Sequence, residues 1–227
     1  MFRHFVFICA ALAAAGAAYA EPRNLDGFDQ VHAAGRFRVE ISVGPNHTVN
    51  VEGADAAQIA TRVDGDTLKI EPRRRPWFGA ERRYDVLVRV TLPRFAGVAA
   101  ARGAEVNASG GGECTSFDAV AAMGAALTVR ELVCAKVDAA AAMGGNLELA
   151  GACRTLDVTA AMGGAVDAAG LRCTNVDASA AMGGAIEAFA ERTYDASAVM
   201  GGDVDISGGG HATDRSAVMG GSISERN

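Results

Sequence analysis

The sequence predicts an all-β chain wound into a single-stranded, right-handed β-helix, a β-solenoid with about 18–20 residues per coil. Three observations carry this. Methionines recur at Met123, Met143, Met162, Met182, Met200 and Met219, spaced by 18 to 20 residues, and five of the six precede Gly-Gly. Apolar residues stand at fixed offsets, six before the Met (Phe117, Val137, Leu156, Val176, Tyr194) and four after it (Leu127, Leu147, Val166, Ile186, Val204, Ile223). Around them apolar and polar residues alternate with a period of two, as in "TLDVTA" and "GNLELA", which is the strand pattern. The abundant alanine also suits a helix, but glycine pairs at this interval would each cost a helix interior about 1 kcal/mol.

The chain opens with a segment that reads as a secretory leader over residues 1–20. Arg3 and His4 precede the apolar run Phe5 to Ala18, and Ala18-Tyr19-Ala20 supplies small residues before Glu21. Cys9 follows Phe7 and Ile8, so the small residues of a lipidation site are missing. Residues 21–227 then read as one β-helix domain in an exported protein, periplasmic or on the cell surface. No later segment has the roughly 20 apolar residues that span a bilayer as a helix. With half its residues apolar, the chain can bury a sizeable core.

Residues 21–100 read as longer strands with weaker periodicity: "FDQVHAAGRFRVEISVG", "HTVNVEG", "TLKIEP" and "YDVLVRVTLP" alternate, and Val63 to Thr67 forms a tight turn. Between them "EPRRRPWFGAERRYD" gathers Arg73, Arg74, Arg75, Arg82 and Arg83 around Trp77 and Phe78. This cluster could contact anionic lipid headgroups or glycan. The simpler reading is a solvated connection between strands. "GVAAARGAEVNASGGG", from Gly97, then looks like a first coil, with Arg102-Gly103 in the Met-Gly place.

From residue 101 onward, short strands that cannot bury a face alone must stack coil on coil, about 4.8 Å apart. Sequence columns become ladders. Cys114, Cys134, Cys153 and Cys173 form one of them, and in an oxidising compartment only Cys114 with Cys134 and Cys153 with Cys173 joins neighbours throughout. Free thiols and a soft-metal thiolate ladder are the alternatives. Glu191 and Gly210 continue the column, which makes it a turn position rather than deep core.

Asp118, Asp138, Asp157, Asp177, Asp195 and Asp214 form an outward ladder, and Glu148, Asp167, Glu187 and Asp205 a second, less regular one. Like charges at this spacing repel by roughly 0.8 kcal/mol per pair in water, so the repetition wants a reason. A divalent cation between coils is one reason. A solvated charged wall that limits lateral aggregation is the plainer one. The methionine column reads as core filler beside a glycine turn, with thioether binding of copper(I) as its rival.

The opening "LDGFDQVHAAGRFRVEISVGPNHTVNVEGADAAQIATRVDGDTLKIEP", the strand "YDVLVRVTLPRFAGVAAARGAEVNAS" and the glycine-punctuated coils together resemble the exported bacterial family called putative auto-transporter adhesin, head GIN domain. The similarity runs from Leu25 to Ile223. It implies a right-handed β-helix in the envelope or outside it, and no binding residues. Ala-Met-Gly-Gly stands here where the family's repeats are rich in Ser and Gly.

Charge excludes one class of partner. Acids and bases balance at thirteen each from Glu21 to Glu113, but fourteen acids face seven bases from Cys114 onward, against the basic face that nucleic acid requires. His4, His32, His47 and His211 are scattered and no catalytic constellation emerges, so a polysaccharide-active enzyme is the least favoured class. The expectation is a non-enzymatic, cofactor-free structural or surface-interaction protein, a monomer meeting an envelope, glycan or protein partner. A ligand- or metal-binding envelope protein is the alternative.

Overall fold

The computed structural model describes residues 21–74, 82–110 and 113–226. The expected leader, and Arg75, Trp77 and Phe78 of the basic loop, lie outside the described residues. The described chain is a β-solenoid of about six turns.

One coil shows how the repeat works. Along Ala126–Ala142, Leu127, Val129, Leu132, Cys134, Val137, Ala139 and Ala141 are all buried, while Arg130 and Lys136 are exposed and Thr128 and Asp138 are partly so. This is the two-residue period of a strand with one face on a core. Equivalent strands pair in parallel and in register, so Val137 lies beside Phe117 and Leu156, and Leu147 beside Leu127 and Val166. One cluster of buried side chains extends from Phe28 to Ile206. The N-terminal strands and the regular coils therefore share a core.

Each coil closes on a tight turn. Met143 and Gly144 both have positive φ, 51° and 73°, and the Gly145 N–H donates to the Ala142 carbonyl at 3.0 Å. Two positive-φ residues inside a four-residue turn make a type I′ turn, whose usual sequence is Asn-Gly. The second glycine answers a different demand. A Cβ on Gly145 would lie 2.2 Å from the Ala121 carbonyl oxygen of the preceding coil, so hydrogen alone fits.

This geometry overturns the core-filler reading of the methionines. Met123, Met143, Met162, Met182 and Met200 are 47–49% exposed and Met219 78%. The turn turns each side chain outward, and Ala139, Ala141 and their equivalents fill the corner instead. Because Met pays the left-handed cost of about 1–2 kcal/mol that Asn largely avoids, Met162→Asn should raise the melting temperature. A thermal melt beside the parent protein checks it; an unchanged or lower midpoint would mean that the Met side chain repays its backbone.

The N-terminal end is not wound in sequence order. Gln30–Ala34 pairs in parallel with Thr67–Pro72 on one side and Gly97–Ala101 on the other. Arg38–Val43 lies likewise between Leu87–Leu92 and Glu105–Ser109. The coil expected to be first, from Gly97, is thus preceded in the stack by Gln30–Ala34 and Arg38–Val43, and those by Thr67–Pro72 and Leu87–Leu92. Antiparallel strands close this end: Ile59–Asp64 joins Thr67–Pro72 through the anticipated turn, and Thr48–Glu52 pairs with both Leu87–Leu92 and Glu21–Arg23. At the other end His211–Val218 is exposed at every position. Charge partners tie down the last two strands: Arg215 of His211–Val218 pairs with Glu225 at 2.8 Å, and Arg226 of Ser222–Arg226 with Asp205.

Candidate functional site

The six aspartates form an unbroken ladder, each paired in register with the next from Asp118 to Asp214. Asp118, Asp138, Asp157, Asp177 and Asp195 alternate with buried apolar residues and so point outward, as their column predicts, while Asp214 lies in the exposed last coil. Lys136 is set into the ladder, with Nζ 2.6 Å from an Asp138 carboxylate oxygen. That hydrogen bond and the nearby Asp157 and Asp118 hold its ammonium pKa above the ordinary lysine value. Asp177 has no such partner among the described residues, and partial burial together with Asp157 and Asp195 pushes its carboxyl pKa up. A raised folded pKa means that the native state binds the proton more readily, so this group costs stability above its folded pKa and the cost fades as pH falls to the unfolded value. Asp177→Asn should therefore stabilise the protein at pH 7 and have little effect near pH 4, as paired denaturant titrations would show. An equal effect at both pH values would remove the electrostatic account.

The second acidic ladder is in register as well, Glu148 with Asp167, Asp167 with Glu187, and Glu187 with Asp205. Basic residues bracket it: Arg130 meets Glu148 at 3.3 Å, and Arg226 meets Asp205 and, at 3.5 Å, Glu187. Among the described residues no group of three or more His, Cys, Asp or Glu side chains converges in the way that would hold a metal ion.

The cysteines meet as neighbours. Cys114 lies beside Cys134 and Cys153 beside Cys173, each with a Cα separation of 4.5 Å, inside the range a disulfide accepts. The turn position expected from Glu191 is corrected: register shifts along the Ala165–Ala181 strand place Ala190, not Glu191, opposite Cys173. Cys134 and Cys173 are buried, and so is Ala190. The column faces the core.

Of the basic loop, Arg73 Nε donates to the Ala57 carbonyl at 3.0 Å, Arg82 meets Asp55 at 2.5 Å and stacks on Tyr84, and Arg83 meets Glu105 at 2.8 Å. Arg74 is exposed. Arg83 also lines a groove of about 490 Å³ with Arg36, Arg102, Glu105 and Met123. Sequence reading missed this convergence, because Arg36 and Arg102 belong to different coils that become neighbours only through the out-of-order winding at the N-terminal end. Arg102, with φ of 56°, occupies the Met place of its coil and heads the methionine row.

Residues 27–210 match the family model described as putative auto-transporter adhesin, head GIN domain. The chain belongs to this family. The resemblance carried by the opening segment and the glycine-punctuated coils is thereby confirmed. Solved structures share the GIN-domain fold over nearly the whole chain. A putative adhesin from Bacteroides fragilis is 18% identical, with a TM-score of 0.80 over 93% of this chain and 98% of its own. A putative adhesin from Parabacteroides distasonis is 17% identical, with a TM-score of 0.66 and coverage of 93% and 98%. A protein of the same species described as a putative lipid binding protein is 15% identical, with a TM-score of 0.64 and coverage of 94% and 98%. At these identities the likeness concerns the fold. No curated protein matches the chain. No helix among the described residues is long and apolar enough to cross a membrane.

Proposed function

We propose that this GIN-domain protein is an exported, non-enzymatic, monomeric β-solenoid that acts as a rigid adhesin-like module, meeting an envelope, glycan or protein partner along its side. The observation that carries this reading is the uniformity of the outward columns. Six aspartates repeat one register position in a single row along successive coils, whereas an enzyme of glycans needs two carboxyls set apart to flank the scissile bond. A regular array instead offers many equivalent weak contacts, which add through multivalency. The test is to incubate the chain from Glu21 with purified lipopolysaccharide and with peptidoglycan, measuring capture and the release of reducing ends in parallel. Capture without release supports the module. Release of reducing ends would replace it with an enzyme, and neither capture nor release would leave a purely structural rod.

A second reading is favoured by the groove that Arg36, Arg83 and Arg102 line together with Glu105 among the described residues. Three guanidinium groups at one groove suit a phosphate or carboxylate, as in an anionic lipid headgroup. Arg36, Arg83 and Arg102 replaced together by Ser should weaken co-sedimentation with phosphatidylglycerol vesicles. Binding that is unchanged would sink this reading and leave the first intact.

A further inference from the structure

The methionine row is the feature that the proposed function does not absorb. Met123, Met143, Met162, Met182, Met200 and Met219 follow one another up the solenoid, each with φ between 50° and 53° and each with its side chain in solvent. Their turns stack directly: the Gly124 N–H donates to the Met143 carbonyl at 3.2 Å, and the Gly163 N–H to the Met182 carbonyl at 3.2 Å. Two independent penalties are thus accepted six times over. A left-handed backbone is unfavourable for any side chain except glycine, asparagine and aspartate, and a large apolar side chain that keeps about half its surface or more in water forgoes that much burial. Asparagine would relieve both and is the common residue at this turn position. Strain that recurs at equivalent exposed sites points toward a use for the side chain.

What distinguishes the side chain is its sulfur. We infer that the row is a binding site for a soft monovalent metal ion, copper(I) or silver(I), held between thioethers of neighbouring coils. Thioethers select soft cations over magnesium, calcium or zinc. Spacing fits as well. A metal–sulfur bond of about 2.3 Å, the length found with zinc thiolates, makes a linear sulfur–metal–sulfur unit about 4.6 Å long. Neighbouring coils stand 4.5 Å apart at the cysteine column. Adjacent methionines therefore need no backbone movement to share an ion, and three rotatable bonds let the sulfurs adjust.

Hard ligands and charges approach the row at its Met123 end, which shares a groove with Glu105, Arg36 and Arg83. Each Met is preceded by Ala or Val and followed by Gly, so along the chain no carboxylate adjoins the thioethers. Arg102 ends the row on one side, where its charge opposes a cation. Docking of an apolar partner explains the row less well, because a stripe one residue wide, bordered by glycine and alanine, falls far short of the roughly 800 Å² per partner that a specific protein interface buries.

The experiment uses the chain from Glu21, alkylated without reductant to block any free thiol, and titrated with silver nitrate in chloride-free buffer. Native mass spectrometry reads the stoichiometry, and NMR of labelled methionine methyl groups reads the location. Three silver ions per chain are expected, one for each pair of neighbouring methionines, with all ladder methyl signals shifting and 1 mM calcium failing to displace the metal. Replacing Met143, Met162, Met182 and Met200 with Leu, which keeps size and backbone cost, should weaken the affinity at least about 100-fold. Competition with bicinchoninate extends the test to copper(I). No binding, binding that survives the four leucines, or methyl signals that do not move would each overturn the inference. Should the leucine variant fail to fold, norleucine incorporated in place of methionine gives the same comparison.

Discussion

Gly164→Ala is expected to destabilise the protein by about 3 kcal/mol or more, the upper end of what overpacking costs, whereas Gly163→Ala should cost about 1 kcal/mol. The two glycines are adjacent in one turn, but they exist for different reasons. Gly163 needs its positive φ of 72°, and an added Cβ there would meet nothing within 4 Å. Gly164 has an ordinary φ, but its Cβ would stand 2.3 Å from the Ala141 carbonyl oxygen and 2.5 Å from the carbon. Those atoms belong to the neighbouring coil's backbone and cannot swing aside, so the coils must separate and the hydrogen bond from the Ala165 N–H to the Gly145 carbonyl, 2.9 Å long, must stretch. Urea denaturation of the two variants decides it. Equal losses would mean that turn conformation, not coil spacing, sets the cost.

The second large effect concerns the cysteines. Cys153 and Cys173 replaced together by Ala should lower the unfolding free energy by about 3 kcal/mol, because a crosslink closing a loop of this size removes that much freedom from the unfolded chain. Cys114 and Cys134 are also 20 residues apart, so the corresponding double replacement should cost about as much. Reductant supplies the control: the parent protein should lose stability on reduction, and a variant lacking all four cysteines should not respond. A parent protein indifferent to reductant would mean that the thiols are not joined.

The columns were legible because a parallel, in-register solenoid turns sequence period directly into contact. Asp118 to Asp214 and the two cysteine pairs follow from counting alone. Legibility ended where the count did. Ala190 displaces Glu191 from the cysteine column because the register shifts between Ala168 and Arg172, and Gly170, which marks a bulge in that stretch, does not tell how far the register slips. Methionine was read as core because hydrophobicity records preference for a nonpolar environment and not backbone hand. The signal for the outward orientation was present in the glycine after each Met, since a two-residue turn of this type needs positive φ at both positions. The groove of Arg36, Arg83 and Arg102 had no sequence signal, because its residues are brought together by strands that stack in an order different from their order in the chain.

That order bears on how the chain can acquire its shape while it emerges. The strand Gln30–Ala34 lies between Thr67–Pro72 and Gly97–Ala101, so its edges stay open until roughly the first hundred residues have been delivered. Beyond that point each new segment needs only the one before it as a template, and adding it resembles closing one more tooth of a zipper. A chain arriving with its amino end first would therefore pass one slow step, the assembly of the closed end, and then elongate at the pace of its own delivery.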